Sequence, residues 1–157
     1  MRREFDSLLP LRESKGGKNK MNILFVCRYN RFRSKIAEAY FKKISKNRRI
    51  KVKSAGIFRG SYPLDKLQVN LAKKFGITIK GKPQRLSTDL LKWQDIIVNV
   101  ANDVPNSLFE DNVKIYKKKS IYWKIPDETR GNKKNINNIV KLIMKKTDVL
   151  VNNLEKK

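Results

Sequence analysis

The chain has 157 residues, 39% of them apolar, enough for one domain with a real core, or one domain plus a tail. Its single cysteine and complete lack of histidine exclude an internal disulfide, zinc sites, and Ser-His or Cys-His catalysis. Against 14 acidic residues stand 38 basic ones, a net charge of +24, and such a field draws polyanions: nucleic acid, anionic membrane or phosphorylated protein.

The basic residues recur along the whole chain (RYNRFRSK, KNRRIKVK, IYKKKS, GNKKN). This is the signature of a solvated, compositionally biased surface, preferred here over a dedicated nucleic-acid face. Residues 1–20 read as a flexible N-terminal extension joined through the polar GGKNK, although Phe5, Leu8, Leu9 and Leu11 offer it an apolar surface for docking. Its charges interrupt any secretory-type apolar stretch, and no run in the chain is long enough to cross a bilayer. A cytoplasmic location is expected.

The domain, residues 21–157, alternates strand and helix. Asn22–Val26 is a compact β-prone run. Ile36, Ala37, Tyr40, Phe41 and Ile44 recur at three- and four-residue spacing and predict an amphipathic helix over Ser34–Lys46. Lys51–Ser54 reads as a strand ending at Ala55-Gly56. Leu64, Leu67, Leu71 and Phe75 mark a second helix, which Gly76 is suited to end. Ser87 or Thr88 can cap a short helix through Leu91, and Asp95–Val100 (DIIVNV) reads as a buried strand. Val113–Tyr116 is a further strand candidate, and a long helix with Ile136, Ile139, Val140, Ile143, Val149 and Leu150 closes the chain from Asn135 onward. The alternation argues for an α/β fold: a single-domain, three-layer arrangement with a central parallel sheet of about four strands flanked by helices. Active sites of such sheets lie beyond the carboxyl ends of the strands, which is where Cys27 falls.

The segment NILFVCRYNRFRSKIAEAYF places the lone thiol between a strand and a helix. A helix N-terminus supplies unpaired N–H groups and the positive end of a dipole, and a thiol there ionises more readily than a free one. Arg33, six residues after Cys27, can grip two oxygens of a bound phosphate with its planar fork. The amides of Arg28, Tyr29, Asn30, Arg31, Phe32 and Arg33 could curl around the remaining oxygens. Ser34 can hydrogen-bond the thiolate, and Asn30 tolerates the left-handed backbone that a loop without glycine needs. The competing reading is that Cys27 is only a small buried hydrophobe. By itself Cys-x(5)-Arg is a weak match, and the Asn, the Ser and the strand-helix frame give it weight.

VCRYNRFRSKIAEAYF resembles the phosphate loop of the low-molecular-weight protein tyrosine phosphatase family, Cys-x-x-Asn-x-x-Arg-Ser followed by a helix often containing Ala-Glu-Ala. Ser54-Ala55-Gly56, Pro63-Leu64-Asp65, DIIVNV at 95–100 and IPDE at 125–128 resemble further family segments in the same order, so the likeness covers about residues 21–154. It implies a phosphate loop between first strand and first helix, a cysteinyl-phosphate on Cys27, phosphoryl binding by Arg33, loop support by Asn30 and Ser34, and Asp127 as general acid and then base. Read from its position alone, Asp127 is also an ordinary turn aspartate; Glu128 and Asp103 are alternative acids. No metal or cofactor is implied. The expected partner is a phosphorylated protein, phosphotyrosine foremost, or a small phosphoester.

The chain departs from the family at several positions. Phe32 stands where a second cysteine often lies, so no protective disulfide can form and Cys27 is more open to irreversible oxidation. Tyr29 occupies a site that is frequently glycine, and the residues after Asp127 read Glu-Thr-Arg rather than proline and tyrosines. An aromatic wall for the substrate must then come from Phe58, Tyr62, Tyr122 or Trp123, each of which also reads as core. Arg28 and Arg31 add charge at the loop mouth and would favour acidic substrates if they face it. Two other readings compete: a thiol-dependent arsenate reductase of the same fold, for which the chain has no relay cysteine, and a basic nucleic-acid or acidic-partner binding protein on a phosphatase-like scaffold.

Overall fold

The computed structural model describes residues 20–58, 63–116 and 118–155; the expectations for the extension through residue 19 and for Tyr62 lie outside them. Four strands, β1 (Met21–Cys27), β2 (Ile50–Gly56), β3 (Ile96–Ala101) and β4 (Lys119–Ile125), form one sheet in the order β2-β1-β3-β4. All three pairings are parallel. β1 and β3 are the central strands, and every residue of β3 and all but Asn22 of β1 is buried. This explains why MNILFVC and IIVNVA are apolar at successive positions, with only Asn22 and Asn99 polar: both faces of an interior parallel strand are covered.

Period-two alternation divides the core. Ile23 and Phe25 face a cluster built with Ile36, Phe41, Ile139 and Ile143, while Leu24 and Val26 face one built with Leu90, Ile97 and Phe109. The first face is covered by α1 (Arg33–Ile44), α2 (Lys66–Lys73) and the 23-residue α5 (Lys133–Glu155). The second carries α3 (Thr88–Trp93) and a 3-10 turn, Asn106–Phe109, that runs into α4 (Glu110–Tyr116). Burying Ile36 or Phe41 against the sheet contributes about 1.5–3 kcal/mol each. That fixes α1, and with it the loop that leads into α1. Polar ties between α1 and α5 reinforce the seam: Tyr40 Oη donates to Asp148 at 2.7 Å, and Glu155 accepts from Ser45 Oγ and from the Lys46 and Asn47 amides. Ser87 caps α3, and Gly76, at φ +76°, turns the chain out of α2.

One element differs from expectation. Val113–Tyr116 is not a strand but the end of α4, and the fourth strand lies just beyond it. The physical reason is burial: Ile115 and Tyr116 are exposed, whereas Ile121, Trp123 and Ile125 alternate inward against β3. Glu110 and Asp111 in the first turn of α4 favour the helix by facing its positive end. Trp123 is likewise core, its ring 5.8 Å from that of Phe25, and so is no part of a substrate wall.

Candidate active site

The loop from Cys27 to Phe32 leaves β1 at its carboxyl end and enters α1 at Arg33. Phe32 occupies the cap position with a side chain that cannot accept a hydrogen bond, and the first turn of α1 carries no acidic residue. The helix N-terminus therefore turns its amides toward the loop without a carboxylate to compensate them, the arrangement that favours a bound anion.

The turn itself is built on Asn30, which is wholly buried and holds φ at +60°. Its Oδ1 accepts from the Gln84 amide at 2.9 Å, while its Nδ2 donates to Ser34 Oγ at 2.8 Å and Ser54 Oγ at 2.9 Å. Tyr29, at the frequently-glycine position, needs no positive φ because Asn30 takes it. Glycine is instead required across the sheet: a Cβ on Gly56 would lie 2.6 Å from the Tyr29 carbonyl carbon and 2.8 Å from the Asn30 nitrogen. Gly56 pairs with Cys27 in the register of β1 and β2, so the loop folds directly onto the end of β2.

Cys27 Sγ lies 3.0 Å from Ser34 Oγ. The residue is only 2% exposed, yet it lines a cavity of about 120 Å³ together with Tyr29, Arg31, Arg33, Gln68 and Asp127. Arg33 is also 2% exposed, and its guanidinium is held from outside the loop: Nη1 donates to the Ile125 carbonyl at 2.9 Å and Nη2 to Asp103 Oδ1 at 3.0 Å. Asp127 Oδ2 stands 3.6 Å from the same Nη2. A register irregularity between Asn99 and Ala101, with Lys124 at φ +57°, turns the end of β4 so that Ile125 offers its carbonyl to Arg33 and delivers Asp127 to the cavity.

The remaining expected residues take distinct places. Asn30 and Ser34 sit beneath the loop. Arg31 lines the cavity, with Nε donating to the Pro63 carbonyl at 2.9 Å. Arg28 turns aside to Asp103 Oδ2 at 3.7 Å, over the rings of Tyr29 and Phe58. Phe32 is buried in the core and also lines the cavity. Of the alternative acids, Asp103 braces Arg33 and Arg28. Glu128 accepts from Asn135 Nδ2 and from the Arg130 and Asn132 amides ahead of α5, and these bonds, the Asn135 one first, hold its carboxyl below the usual range. Of the aromatic candidates, Phe58 leans on Tyr29 with ring centroids 5.9 Å apart, and Tyr122 lies under Lys124. Sequence reasoning missed Gln68 and Thr129 in the cavity wall, the bracing role of Asp103, and the hold of Gln84 on Asn30. Only Asp65 left a legible signal, as the helix-capping Asp of Pro-Leu-Asp, and it too lines the cavity.

In the first turn of α1, Lys35 is buried and donates to the Lys80 carbonyl at 3.1 Å; that burial lowers its pKa, against opposing charge from Glu38 and Cys27. Among the described residues, no group of three or more His, Cys, Asp or Glu side chains is placed to hold a metal ion, and no helix is long and apolar enough to cross a membrane.

The whole fold has counterparts among solved structures. The YwlE arginine phosphatase from Geobacillus stearothermophilus is similar at 20% identity and a TM-score of 0.73, covering 86% of this chain and 93% of that one. A protein tyrosine phosphatase from Entamoeba histolytica is similar at 23% identity and a TM-score of 0.73, over 87% and 97% of the two chains. An arsenate reductase from Archaeoglobus fulgidus is similar at 25% identity and a TM-score of 0.64, over 82% and 98%. No curated relative matches the chain by sequence. Residues 22–157 match the family described as low molecular weight phosphotyrosine protein phosphatase, so the match runs from the first strand through the closing helix, and the chain belongs to that family of phosphatases.

Proposed function

We propose that the chain hydrolyses phosphomonoesters, phosphotyrosine on protein foremost, through a cysteinyl-phosphate on Cys27. The observation that carries this reading is the convergence of Cys27, Arg33 and Asp127 on one small cavity, with the Ser34 hydroxyl 3.0 Å from the sulfur. The thiolate attacks phosphorus and the P–O bond to the leaving group breaks. The loop amides and Arg33 hold the equatorial oxygens as their charge spreads. Asp127 protonates the departing oxygen. It then takes a proton from the water that attacks the S–P bond, releasing inorganic phosphate and restoring the thiolate. Asp103 and the Ile125 carbonyl keep the guanidinium in place through both steps, and Tyr29 in the cavity wall is the residue nearest to hand for contact with an aromatic substrate.

A second reading rests on the polarity of the cavity. Asp65 and Glu128 line it beside Asp127, an acidic rim suited to the guanidinium of phosphoarginine, the chemistry that the name of the Geobacillus stearothermophilus neighbour describes for that protein. An arsenate reductase would need an external thiol at each turnover, since Cys27 is the chain's only cysteine. The test compares an aryl phosphate, a phosphotyrosine peptide and a phosphoarginine peptide as substrates. Turnover should be abolished by Cys27→Ser and blocked by vanadate. Absence of turnover on all three, with tight and steeply salt-dependent nucleic-acid binding instead, would overturn the reading.

A further inference from the structure

Behind the loop, a chain of hydrogen bonds, buried up to its last link, runs from the sulfur to a half-buried carboxylate that the catalytic scheme does not use. Cys27 Sγ meets Ser34 Oγ at 3.0 Å, Asn30 Nδ2 donates to Ser34 Oγ and to Ser54 Oγ, and Ser54 Oγ donates to Glu38 Oε1 at 2.5 Å. The direction of the links beyond the sulfur follows from counting protons. The Gln84 amide can only donate, so Asn30 must turn its oxygen to it, which leaves both Nδ2 hydrogens for the two serines. Each serine accepts from Asn30 and has one hydrogen left. With Cys27 as the thiolate, that of Ser34 points to the sulfur, and that of Ser54 points to Glu38. Ser34, Asn30 and Ser54 are all buried at 2% exposure or less, so a hydroxyl hydrogen without an acceptor there carries a full desolvation penalty. Glu38 is the acceptor that prevents this. Its second oxygen takes Lys42 Nζ at 2.9 Å, and Glu38 lines a separate cavity of about 470 Å³ with Lys35, Ser54 and Gln84.

We infer that Glu38 is a positioning residue: as the outer acceptor of this chain, it holds Ser54 against Asn30, and thereby holds Asn30 and Ser34 in the geometry that supports the thiolate. The inference rests on the phosphatase reading for its catalytic consequence, but not for its structural one. It also predicts a sign. If Glu38 acted only through its charge, removing a carboxylate near a thiolate and an incoming phosphate would help both. Acting as an acceptor, it can be replaced by glutamine and not by alanine or lysine.

The experiment measures the rate of Cys27 alkylation by iodoacetamide at mildly acidic pH, alongside aryl phosphate turnover and thermal unfolding, for Glu38→Gln, Glu38→Ala, Glu38→Lys and Ser54→Ala. Glu38→Gln should stay within about twofold of wild type, while Glu38→Ala and Glu38→Lys should alkylate about five- to tenfold more slowly, the equivalent of roughly one net hydrogen bond. Adding Glu38→Ala to Ser54→Ala should cost nothing further, because the two act in series. Equal losses for Gln and Ala, faster alkylation in Glu38→Ala, or additive losses in the double variant would each overturn the inference. Should the alkylation order hold while no variant, wild type included, hydrolyses any phosphate compound, the positioning role stands and the phosphatase reading fails.

Discussion

Gly56→Ala is a one-methyl test of how the phosphate loop is seated. Gly56 lies at the end of β2, opposite Cys27, and the added Cβ would stand 2.6 Å from the Tyr29 carbonyl carbon and 2.8 Å from both Tyr29 Cα and Asn30 N. Carbon atoms in contact settle at about 3.5–4.0 Å, so the loop or the strand must retreat by about 1 Å. Neither side can move a mere side-chain tip, since every atom met is backbone, and β2 is pinned there by the Gly56 amide to Gln84 and by Leu86 to the Gly56 carbonyl. Overpacking of this kind destabilises by about 1–3 kcal/mol. A displacement near 1 Å at Asn30 also moves Ser34 and the loop amides, which is sufficient to cost about 100-fold in turnover. Urea unfolding gives the first quantity, and aryl phosphate kinetics on the folded fraction, with phosphate as competitive inhibitor, give the second. A variant that unfolds at the wild-type midpoint and keeps wild-type kcat/KM and phosphate inhibition would refute the argument that the loop rests on Gly56.

Three other outcomes are expected. Asp127→Asn should lower kcat/KM, which reports cysteinyl-phosphate formation and not its hydrolysis, by about 10²–10⁴-fold on phenyl phosphate and by much less on 4-nitrophenyl phosphate, whose leaving group needs no proton; equal losses on both would move the acid role elsewhere. Arg33→Lys keeps the charge but loses the fork that reaches Ile125 O and Asp103, and should cost about 10²–10³-fold in kcat/KM with weakened vanadate inhibition; steady-state kinetics decide it. Tyr40 bears on pH: burial, and then its hydrogen bond to Asp148, push the phenol up to about 12. An unfolded tyrosine ionises near 10, so the folded state holds the extra proton, and stability falls as pH rises from about 10 toward 12. Urea midpoints across that range should flatten in Tyr40→Phe, and an unchanged slope would contradict the assignment.

The parts of the fold that were legible in the sequence are those set by local chemistry. Consecutive apolar residues mark β1 and β3 because both of their faces are covered. The spacing of Ile36, Ala37 and Phe41 marks the buried side of α1, and Ser87 announces the start of α3. The same local rules misread Val113–Tyr116, since an alternating pattern says nothing about whether there is a neighbouring strand to bury it. Trp123 illustrates the converse: its aromatic character is visible in the sequence, but its side of β4, and hence its place against Phe25, is not.

For the site, Cys27, Asn30, Arg33 and Ser34 are close in sequence, so strand, turn and helix geometry alone bring them together, and residue type with spacing was enough to single them out. Asp103 and Asp127 are 70 and 94 residues from Arg33, and Gln84 is 54 from Asn30; which of them reaches the loop depends on strand order. β3 lies next to β1 and β4 next to β3, so the carboxyl ends of all three converge, and the bulge near Ala101 aims the chain after Ile125 at the guanidinium. Residue type and spacing thus determined the chemistry available at the thiol, because its neighbours lie within one turn of chain. Tertiary structure alone decided which distant carboxylate braces, which lines the cavity and which caps a helix, because those distances are fixed by packing and not by covalent reach.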